Sequence, residues 1–592
     1  MRIDSQRVST AQHLPDAMFA AAAANPSHPA QWYRVADAYH PLTYAQLASR
    51  TRLVATGLLA AEVGQGDRVA LLMENRPEWA VADYAVMAIG AVTVPLYCSY
   101  RPRDMAYVIN DAQARVLICS GGVLLQHLLK AIESCPQVEV IYALEPQDKH
   151  SLLRPFAELE AQGVDVVSLD ARLAEISRAS LATIVYTSGT TATPKGVMLS
   201  HGNLLTVVSA ASEIIDLRAD DMMLSFLPLA HSLERLAGHF LAYSTGISVA
   251  FAERPDTVAK NLMEAKPTLL ISVPRMLEVV RGRMLGQLAK QSPWKQRLFT
   301  SYVSLGTALY RGKMTLFGRL AYALLDRLVG RKVRQRFGGR LRLMVSGGAP
   351  LSAEINEFFE GIGMPILQGY GLTESAPLIT VNPQQDRRLG TVGRPVADIE
   401  VRLAEDGEIL ARGANIMLGY WHQPEATAET VVDGWLHTGD IGEIDADGYL
   451  RITDRKKDII VNSGGENIAP QRIEMLLIAD PMIDQVVVFG DQRPYLVAIV
   501  VPNEEACRTW ADGKGLPATD WSSLAASPVL RKELQNRIAG ILKPLNPYEQ
   551  VRRIHVRAEP FTIEGGLLTP TLKIKRRLVL EQYQGEIEAL YQ

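Results

Sequence analysis

The segment "YTSGTTATPKGVM" (residues 186–198) concentrates residue types that suit phosphate binding. It follows an apolar run, Leu181 to Val185, which predicts a short buried strand. A strand that ends in hydroxylated residues and glycines presents clustered N–H and hydroxyl groups, and these suit an anionic phosphate chain. The Walker phosphate loop needs Gly-Lys-Ser/Thr in direct succession, whereas Pro194 precedes Lys195 here. The segment is therefore either a phosphate loop of another kind or a polar linker.

Three more polar clusters each follow an apolar run. "LRLMVSGGAPL" (341–351) leads into Gly347 and Gly348, "PILQGYGLTES" (365–375) leads into a second glycine turn, and "GWLHTGDIGEID" (434–445) carries Asp440. In open α/β sheets, ligands bind beyond the carboxyl ends of the strands. Any one of these loops is more often an ordinary tight turn, but the joint pattern predicts that they meet at one crevice.

The elements that must position these loops alternate along the chain. Residues 42–63 have helical apolar spacing, residues 67–73 are strand-like, and a helix near 77–90 and a strand in "AVTVPLY" follow. This alternation predicts layered α/β architecture with largely parallel sheets. Beyond residue 455 the pattern changes to a small α+β unit, with paired strands in "QVVVFGD" and "YLVAIVVP". We place the boundary at "DRKKD" and expect domains at 1–454 and 455–592.

Length and composition exclude several classes of protein. A chain of 592 residues is too long for one core and predicts two to four domains or subdomains. The apolar share of 48% and the charged share of 21% are typical of a soluble globular protein. The four cysteines are widely spaced with no CxxC pair, which argues against a zinc site or disulfide framework and favours a reducing compartment. We expect no signal peptide, and the apolar window 80–97 contains Asp83, which favours a buried helix and strand over a membrane span.

Eight motifs together resemble the adenylate-forming enzymes, which include acyl-CoA synthetases, firefly luciferase and the adenylation domains of peptide synthetases. The matching segments, in the family's order from about residue 42 to 577, are "YTSGTTATPKGV", "LPLAHSLER", "SGGAPL", "QGYGLTES", "GYWHQPEAT", "HTGDIG", "DRKKDIIVNSGGENIAP" and "TPTLKIKRR". Within this superfamily, "LPLAHSLER", "DRKKDIIVNSGGENI" and a long basic helical insertion near 283–340 are most similar to long-chain fatty acid–CoA ligases.

The resemblance implies a fold and a reaction. The fold is a large N-terminal domain of layered α/β subdomains with a smaller, mobile α+β C-terminal domain. The reaction uses ATP and Mg²⁺ to convert a fatty acid into an acyl-adenylate, from which coenzyme A displaces AMP. Because the carboxylate and the α-phosphate are both anionic, their approach to about 4 Å costs roughly 4 kcal/mol at an effective dielectric near 20. Metal and lysine cations at that point lower this barrier.

The resemblance also assigns roles to residues of the nucleotide site. The phosphate loop would consist of Thr187, Ser188, Gly189, Thr190, Thr191 and Lys195, with Ala192 where the family usually has glycine. The remaining cofactor-binding residues, for ATP or coenzyme A, would be Gly347, Gly348, Ala349, Gln368, Gly369, Tyr370, Gly371, Thr373, Asp440, Arg455, Lys457, Gly464 and Gly465. Among these, Tyr370 would stack on adenine and Thr373 would bind phosphate. Thr187 and Glu374 would hold Mg²⁺, and Asp440 with Arg455 would bind the ribose.

The C-terminal residues and His231 have roles in the two half-reactions by the same resemblance. Lys457 matches the hinge, Lys573 matches the lysine that bridges carboxylate and α-phosphate, and Gly464 and Gly465 would line the pantetheine channel. His231 would sit beside the acyl carboxylate, although a structural histidine explains it equally well. Without the resemblance, Glu374 could equally be an acidic residue at the N-terminus of a helix, where it would complement the helix dipole. The segment "DRKKD" could likewise be a group of charged residues exposed to solvent.

Two other functions are compatible with the motifs. One is a fatty acyl-AMP ligase that delivers the adenylate to a carrier protein, and the other is a catalytically silent lipid-binding protein. The absence of a carrier domain in the sequence disfavours the first, and the presence of Lys573, Glu374 and Asp440 disfavours the second.

One segment of the chain is strongly basic. Residues 281–342 hold fifteen Lys/Arg and a single acid, Asp326, for a net charge of +14, which leaves −17 for the rest of a chain whose net charge is −3. Within it, Leu316, Leu320, Leu324 and Leu328 form one helical stripe. The stripe either packs on the protein's own core with the cations solvated, or forms a patch for an anionic membrane surface. No recognition motif favours nucleic acid. We expect a cytoplasmic protein, peripheral on the inner face of the membrane if the second interpretation is right.

Overall fold

The computed structural model describes residues 6–592 except 147–148, 162, 164, 188–193, 517–519, 564 and 570–571. Mixed α/β layers form a large N-terminal domain, and a smaller C-terminal domain follows it. Each domain has apolar cores of its own. The predicted fold class is confirmed.

The strands divide among five sheets in the described residues. In chain order they are β1 (Pro29–Val35), β2 (Ala38–Thr43), β3 (Arg68–Leu72), β4 (Val92–Pro95), β5 (Val116–Gly121), β6 (Val140–Glu145), β7 (Leu153–Pro155), β8 (Leu181–Tyr186), β9 (Gly196–Ser200), β10 (Met222–Ser225), β11 (Ser248–Phe251), β12 (Leu269–Ser272), β13 (Leu343–Ser346), β14 (Ile366–Tyr370), β15 (Thr380–Val381), β16 (Arg394–Pro395), β17 (Ile399–Leu403), β18 (Glu408–Gly413), β19 (Gly419–Tyr420), β20 (Val431–Val432), β21 (Trp435–Ile444), β22 (Leu450–Arg455), β23 (Ile460–Val461), β24 (Asn467–Ile468), β25 (Ile483–Phe489), β26 (Leu496–Pro502) and β27 (Val551–Val556).

The helices cover the sheets and connect their strands. They are α1 (Gln6–Thr10), α2 (Leu14–Ala24), α3 (Tyr44–Ala60), α4 (Pro77–Ala88), α5 (Pro102–Ala112), α6 (Gly122–Ile132), α7 (Ala157–Ala161), α8 (Val166–Glu175), α9 (His201–Ile214), α10 (Ser232–Glu234), α11 (Leu241–Thr245), α12 (Val258–Ala265), α13 (Pro274–Ala289), α14 (Pro293–Tyr310), α15 (Leu316–Leu325), α16 (Arg331–Gln335), α17 (Ala353–Gly361), α18 (Pro424–Thr430), α19 (Pro470–Ile478), α20 (Glu504–Gly513), α21 (Trp521–Ala526), α22 (Pro528–Leu542), α23 (Arg576–Gln582) and α24 (Gln584–Ala589). Arg235–Phe240 and Asp326–Gly330 are π-helical, and Pro255–Thr257, Thr373–Ser375 and Pro547–Glu549 are 3₁₀ turns.

Two large sheets dominate the N-terminal domain. One has the order β16-β15-β14-β13-β12-β10-β11-β1-β2, and the other β19-β9-β8-β4-β3-β5-β6-β7. The neighbouring pairs among β10 to β14 are parallel, and so are the pairs β3–β4, β3–β5, β4–β8 and β5–β6. Helices supply the crossover connections that parallel strands require. A third sheet joins β17, β18, β20, β21 and β22 in antiparallel pairs. The alternation of the sequence therefore produces the parallel layers that it predicts.

The small C-terminal domain contains the paired strands that the sequence predicts. β25 and β26 are antiparallel, β27 joins β26 in parallel, and helices α19 and α22 pack on this sheet. The proposed domain boundary falls at the end of β22, whose last residue, Arg455, still pairs with Asp440 of β21. The first C-terminal core residue is Ile460.

The apolar window 80–97 forms most of α4 and all of β4. Asp83 is fully buried there, and Arg235 and His239 of the π-helical segment hydrogen-bond to its carboxylate. Burial alone would raise the pKa of Asp83, but these two partners outweigh burial and hold the pKa at about 2. The ion pair thereby fixes the π-helical segment against α4. Among the described residues, no helix combines the length and apolarity needed to cross a bilayer.

All four cysteines are free thiols. Burial raises the pKa of Cys98, Cys119 and Cys507 to about 12, and it also raises the pKa of Cys135. The four positions lie in the apolar cores or pack against them, so these thiols serve as small hydrophobic side chains.

Candidate active site

A cleft of about 2660 Å³ lies where the predicted loops meet. β12, β13 and β14 are parallel and in register, with Ser272 opposite Ser346 and Ser346 opposite Gln368. Their carboxyl ends therefore open at one edge of the sheet. The turns after β13 and β14, Thr187 directly after β8, and Asp440 of β21 all line this cleft. The sequence prediction of a single crevice agrees with this arrangement.

Two glycines keep the floor of the cleft open. Gly348 has a φ of +78°, a left-handed conformation that glycine adopts without a steric penalty. A Cβ on Gly371 would lie 2.1 Å from the carbonyl oxygen of Pro377, so only glycine fits there. Together with Gly347, Ala349 and Gly369 they line the cleft with backbone, as the sequence predicts for a loop approached by a planar ligand.

Two buried polar atoms near this floor lack a partner. Neither the Gln368 Oε1 nor the Ser346 Oγ has a hydrogen-bond partner among the described residues, although both side chains are buried and line the cleft. A buried orphan acceptor costs about 1–3 kcal/mol. A ligand with amine or ring-nitrogen groups, such as a purine base, would satisfy these atoms, so the residues fit a nucleotide.

A buried carboxylate lies beside the glycine floor. Asp440 accepts hydrogen bonds from the Tyr370 hydroxyl at 2.7 Å and from the Arg455 Nε at 2.8 Å. The pairing of β21 with β22 places Asp440 opposite Arg455, and Tyr370 ends β14. The structure therefore brings these three predicted residues together, and a carboxylate oriented by two donors is suited to accept hydrogen bonds from a diol.

A second carboxylate stands at the phosphate-loop side. The Tyr420 hydroxyl donates to the Glu374 Oε1 at 2.8 Å, and the Lys195 ammonium lies 4.7 Å from the centre of the Tyr420 ring. Thr187 is tied to Lys195 by a backbone hydrogen bond of 3.1 Å. Ser188, Gly189, Thr190, Thr191 and Ala192 lie outside the described residues. The described ends of this loop therefore place Thr187 and Lys195 in the cleft near Glu374.

Tyr420 is a site residue that the sequence reasoning missed. It belongs to β19, which pairs with β9 directly after the phosphate loop, with Tyr420 opposite Val197. The motif "GYWHQPEAT" was the only signal for it. Since its ring contacts Lys195 and its hydroxyl binds Glu374, it connects the two sides of the phosphate region.

His231 lines the cleft beside the glycine floor. It caps α10, where its Nδ1 accepts the Leu233 backbone N–H at 3.2 Å, so the ring proton is on Nε2. Burial, together with the charge of Lys573, lowers the pKa of His231 to about 4. His231 is therefore a neutral donor at physiological pH. The next residue, Ser232, lies 3.3 Å from the Thr373 hydroxyl and is a second contact that the sequence reasoning missed.

Lys573 reaches the cleft from the C-terminal domain. Its loop is closed by hydrogen bonds between Lys573 and Thr569, at 2.8 Å and 3.0 Å. Its side chain is open to the cleft yet surrounded by protein, and this burial together with the nearby charge of Arg455 lowers the pKa of its ammonium to about 8. Its charge acts on both His231 and Arg455. The predicted catalytic lysine thus stands with the N-terminal residues of the site.

The other predicted C-terminal residues lie further out. Lys457 is exposed on the rim of the cleft. Gly464 and Gly465 occupy the exposed turn of the β23–β24 hairpin and do not line the cleft. The structure therefore does not bring these two glycines to the site, and their part in a pantetheine channel stays a prediction.

An apolar wall extends from His231 into the N-terminal domain. Its side chains come from α9, from the segment that runs through the π-helix to α11, and from the β15–β16 region, and they are Ala211, Ile214, Ile215, Leu236, Ala237, Leu241, Val381, Leu389 and Val392. At 1.5 Å per helical residue, the wall from His231 to Leu241 is roughly 10 to 15 Å long. Such a surface suits a long apolar chain whose polar end lies at His231.

The described residues contain no cluster of three or more His, Cys, Asp or Glu side chains suited to a metal ion. Mg²⁺ is commonly held by one or two carboxylates together with substrate phosphates. Glu374, with one oxygen on Tyr420 and the other available, and the Thr187 hydroxyl fit that pattern. The donor set therefore fits a metal ion that arrives with a polyphosphate.

An ion pair joins the two domains next to the cleft. Arg275, in the first turn of α13, donates to the Asp484 carboxylate at 2.7 Å and to its carbonyl oxygen at 2.8 Å. Glu278 is the second carboxylate on Arg275, at 3.3 Å. These contacts stabilise the orientation of the two domains in which Lys573 and His231 line the same cleft.

Comparison with known proteins gives matches along most of the chain. Residues 18–421 match the family described as AMP-binding enzyme, and residues 457–592 match the AMP-binding enzyme C-terminal domain. The long-chain-fatty-acid–CoA ligase FadD15 of Mycobacterium bovis is 37% identical over 557 residues, with 93% of this chain and 92% of that protein covered. The peroxisomal long chain acyl-CoA synthetase 7 of Arabidopsis thaliana is 34% identical, with 93% and 82% covered.

Solved structures share the fold. The anthranilate CoA ligase AuaEII in complex with anthranoyl-AMP matches with a TM-score of 0.75 at 21% identity, with 98% of each chain covered. The A domain of a carboxylic acid reductase from Segniliparus rugosus, in complex with AMP and a carboxylic acid, also has a TM-score of 0.75, at 24% identity, with 100% of this chain and 96% of that chain covered.

Proposed function

The chain belongs to the AMP-binding enzyme family, and we propose that it is an acid–thiol ligase that converts long-chain fatty acids into acyl-CoA through an acyl-adenylate. The observation that carries the proposal is that Lys573 lines the same cleft as His231, the apolar wall and the Asp440–Tyr370–Arg455 group, close enough for its charge to interact with His231 and Arg455. A cation in this cleft would offset the repulsion between the substrate carboxylate and the phosphate, which are both anionic.

In the first half-reaction, a carboxylate oxygen of the fatty acid attacks the α-phosphorus of ATP. The bond from that phosphorus to the bridging oxygen breaks, and pyrophosphate leaves with the electron pair. The Lys573 ammonium offsets the repulsion of the two anions, which is roughly 4 kcal/mol at about 4 Å and an effective dielectric near 20. The Nε2 proton of neutral His231 orients the carboxylate.

The polyphosphate would lie between Lys195, Thr187 and Glu374. Glu374 and Thr187 would hold Mg²⁺ there, and the ion would supply positive charge to the leaving pyrophosphate. Tyr420 keeps the Glu374 carboxylate in place through its 2.8 Å hydrogen bond. Asp440 and Arg455 would bind the ribose hydroxyls, and Gln368 and Ser346 would meet the adenine.

In the second half-reaction, the sulfur of coenzyme A attacks the acyl carbon, the thiol proton is lost, and AMP leaves as its bond to that carbon breaks. Lys573 lines the cleft, and in the proposed arrangement it would lie next to the acyl carboxylate, so the thiol would need the space that this loop occupies. We infer that the C-terminal domain rotates about Lys457 between the two steps, which requires the Arg275–Asp484 ion pair to open.

The apolar wall supports a long-chain substrate in this proposal. Side chains from α9 and from the segment between His231 and Leu241 form a surface that a short acid would leave partly uncovered. The names of the two relatives, a long-chain-fatty-acid–CoA ligase and a long chain acyl-CoA synthetase, support the same substrate class.

The test is turnover on straight-chain acids from short to very long, with AMP, acyl-AMP and acyl-CoA measured with and without coenzyme A. We expect acyl-CoA and stoichiometric AMP only when coenzyme A is present, with the highest kcat/KM for long chains. Acyl-AMP that accumulates in both conditions would instead identify a fatty acyl-AMP ligase. No adenylation of any acid would refute the proposal.

Lys573→Ala separates the two half-reactions. We expect it to abolish pyrophosphate release while thioester formation from supplied acyl-AMP persists, because the lysine serves only the first step. Lys575→Ala, two residues further in the same segment but outside the cleft lining, is the matched control and should keep both activities. Equal losses in both half-reactions for Lys573→Ala would contradict the role assigned to it.

A further inference from the structure

The outer face of α15 is apolar and uncovered. Leu316, Phe317, Leu320, Leu324 and Leu328 are between 54% and 85% exposed, and they follow one another on one side of the helical segment 316–335. Isolated exposed leucines are common, but a contiguous group of five large apolar side chains is characteristic of an interaction surface. We call this group the α15 face.

The opposite side of the same segment already packs on the protein. Tyr322 stacks on Tyr302 with ring centres 5.4 Å apart, and Leu325, Val329 and Val333 contact the adjacent core. The interpretation that the leucine stripe covers the protein's own core is therefore wrong. The helical segment has two apolar sides, and the stripe is the one that faces outward.

Basic side chains flank the α15 face and extend beyond its C-terminal end. Six of the fifteen basic residues in 281–342 pair with carboxylates: Arg281, Lys290, Arg311, Arg334, Arg340 and Arg342. Lys313 and Arg319 flank the apolar side chains, and Arg327, Arg331 and Lys332 lie toward the C-terminal end of the segment. All five are exposed, and none forms an ion pair in the described part of the chain. Five of the nine basic residues in 281–342 that form no ion pair with a described residue are thus next to the apolar face.

A basic pocket adjoins the C-terminal end of this surface. It has a volume of about 550 Å³, and its charged lining residues are Lys266, Arg331, Arg334 and Arg340, next to the backbone turn at Gly338 and Gly339. Arg331 belongs both to the pocket and to the free cations. An anionic headgroup in the pocket would lie beside a chain in contact with the α15 face.

We propose that the α15 face and its cations bind the surface of an anionic lipid bilayer. A helix that lies in a membrane interface places large apolar side chains among the acyl chains and cations at the headgroups, and α15 has both in adjacent positions. Charge complementarity selects an anionic bilayer over a neutral one. The proposal concerns where the protein binds and does not depend on the reaction it catalyses.

The test is co-sedimentation of the full chain with vesicles of phosphatidylcholine containing phosphatidylglycerol, against vesicles of phosphatidylcholine alone. Binding is measured at ~0.01 M salt, where electrostatic attraction has a range of about 30 Å, and at ~1 M salt, where the range is about 3 Å. We expect binding to the anionic vesicles at low salt, weaker binding to the neutral ones, and release at high salt.

Two variants separate the charges from the apolar side chains. Reversal of Arg327, Arg331 and Lys332 to Glu should weaken anionic-vesicle binding by on the order of 100-fold or more, given about 1 kcal/mol for each cation. Phe317→Gln, Leu320→Gln and Leu324→Gln together should weaken it by roughly 10-fold or more. Arg334 is left unchanged because its ion pair with Asp326 supports the fold of the segment.

A matched control makes the same charge change elsewhere. Arg531, Lys532 and Lys543 are exposed in or beside α22 of the C-terminal domain, and their reversal to Glu should leave vesicle binding within a few-fold of the unchanged protein. Circular dichroism and acid activation in detergent-free solution verify that each variant is folded.

Three results would overturn the proposal. The first is equal vesicle binding by the unchanged protein and the α15 charge reversal, and the second is binding that is equal on neutral vesicles and insensitive to salt. The third is a protein that ignores vesicles but forms a dimer that the glutamine variant disrupts, since the α15 face would then bind a second copy of the chain.

Discussion

The protonation of Lys573 gives the sharpest prediction for the proposed reaction. Its ammonium must be charged to bring carboxylate and phosphate together, and burial with the nearby charge of Arg455 lowers its pKa to about 8. With that value about nine-tenths of the free enzyme is active at pH 7, and roughly one-tenth at pH 9. The kcat/KM for the fatty acid in pyrophosphate release should therefore fall about tenfold for each pH unit above 8.

The measurement uses kcat/KM because this constant reports the ionisation of the free enzyme. Coenzyme A is omitted, so that its thiol does not contribute to the profile. The pKa of His231, about 4, keeps that side chain neutral throughout the range from about pH 7 to pH 10. Lys573 lines the cleft and should titrate in this range, whereas Glu234, whose pKa is also about 8, does not line the cleft.

Lys573→Arg is the matched variant. A guanidinium stays charged to above pH 12, so its profile should be flat where the unchanged enzyme declines, although its planar shape lowers the absolute rate. A flat profile for the unchanged enzyme up to about pH 10, or the same decline in the arginine variant, would refute the reasoning.

Two further predictions concern the hinge and a buried acid. Lys457→Pro fixes φ at the rim of the cleft, so pyrophosphate release should persist while acyl-CoA formation falls by about 100-fold or more, and two unchanged rates would place the hinge elsewhere. Neither carboxyl oxygen of Glu234 has a hydrogen bond of normal geometry in the described residues, and burial outweighs the influence of Ser225 and raises its pKa to about 8. Because the folded state then holds a proton that the unfolded state releases above about pH 4.5, stability should fall by on the order of 3 kcal/mol between about pH 5 and pH 8. Glu234→Gln should remove that fall in urea unfolding followed by tryptophan fluorescence, whereas Glu400→Gln, at an exposed carboxylate paired with Arg412, should not; parallel curves for Glu234→Gln and the unchanged protein would contradict the assignment.

The layered fold and the crevice could be predicted because both follow from local pattern. Apolar runs that end in glycine turns become parallel strands whose carboxyl ends share an edge, and Gly348 and Tyr370 lie where that rule places them. Tyr420 could not be predicted in the same way. It reaches Lys195 only because β19 returns to pair with β9, and no local signal encodes a contact between such distant segments.

The orientation of α15 shows a different limit. Periodicity identifies an apolar stripe, but this helix has two, one through Leu320 and Leu324 and one through Tyr322 and Leu325. Which stripe faces inward depends on the surface that receives it, and the ring of Tyr302 selects Tyr322. The net charge of a segment also does not predict how much of its charge is unpaired. Six of the basic residues in 281–342 pair with carboxylates, and five of those carboxylates belong to residues outside the segment.

Three of the four cysteines are buried and Cys98 is partly buried, so the chain should react slowly with thiol reagents. Thiols with a pKa of about 12, as at Cys98, Cys119 and Cys507, hold almost no thiolate at neutral pH, and the thiolate is the reactive form. A colorimetric thiol reagent added during turnover would therefore count free coenzyme A without a background from the enzyme. For the same reason, a cysteine introduced at Leu320 could carry an environment-sensitive fluorophore with the native cysteines left in place, and its emission would report directly whether α15 enters a bilayer.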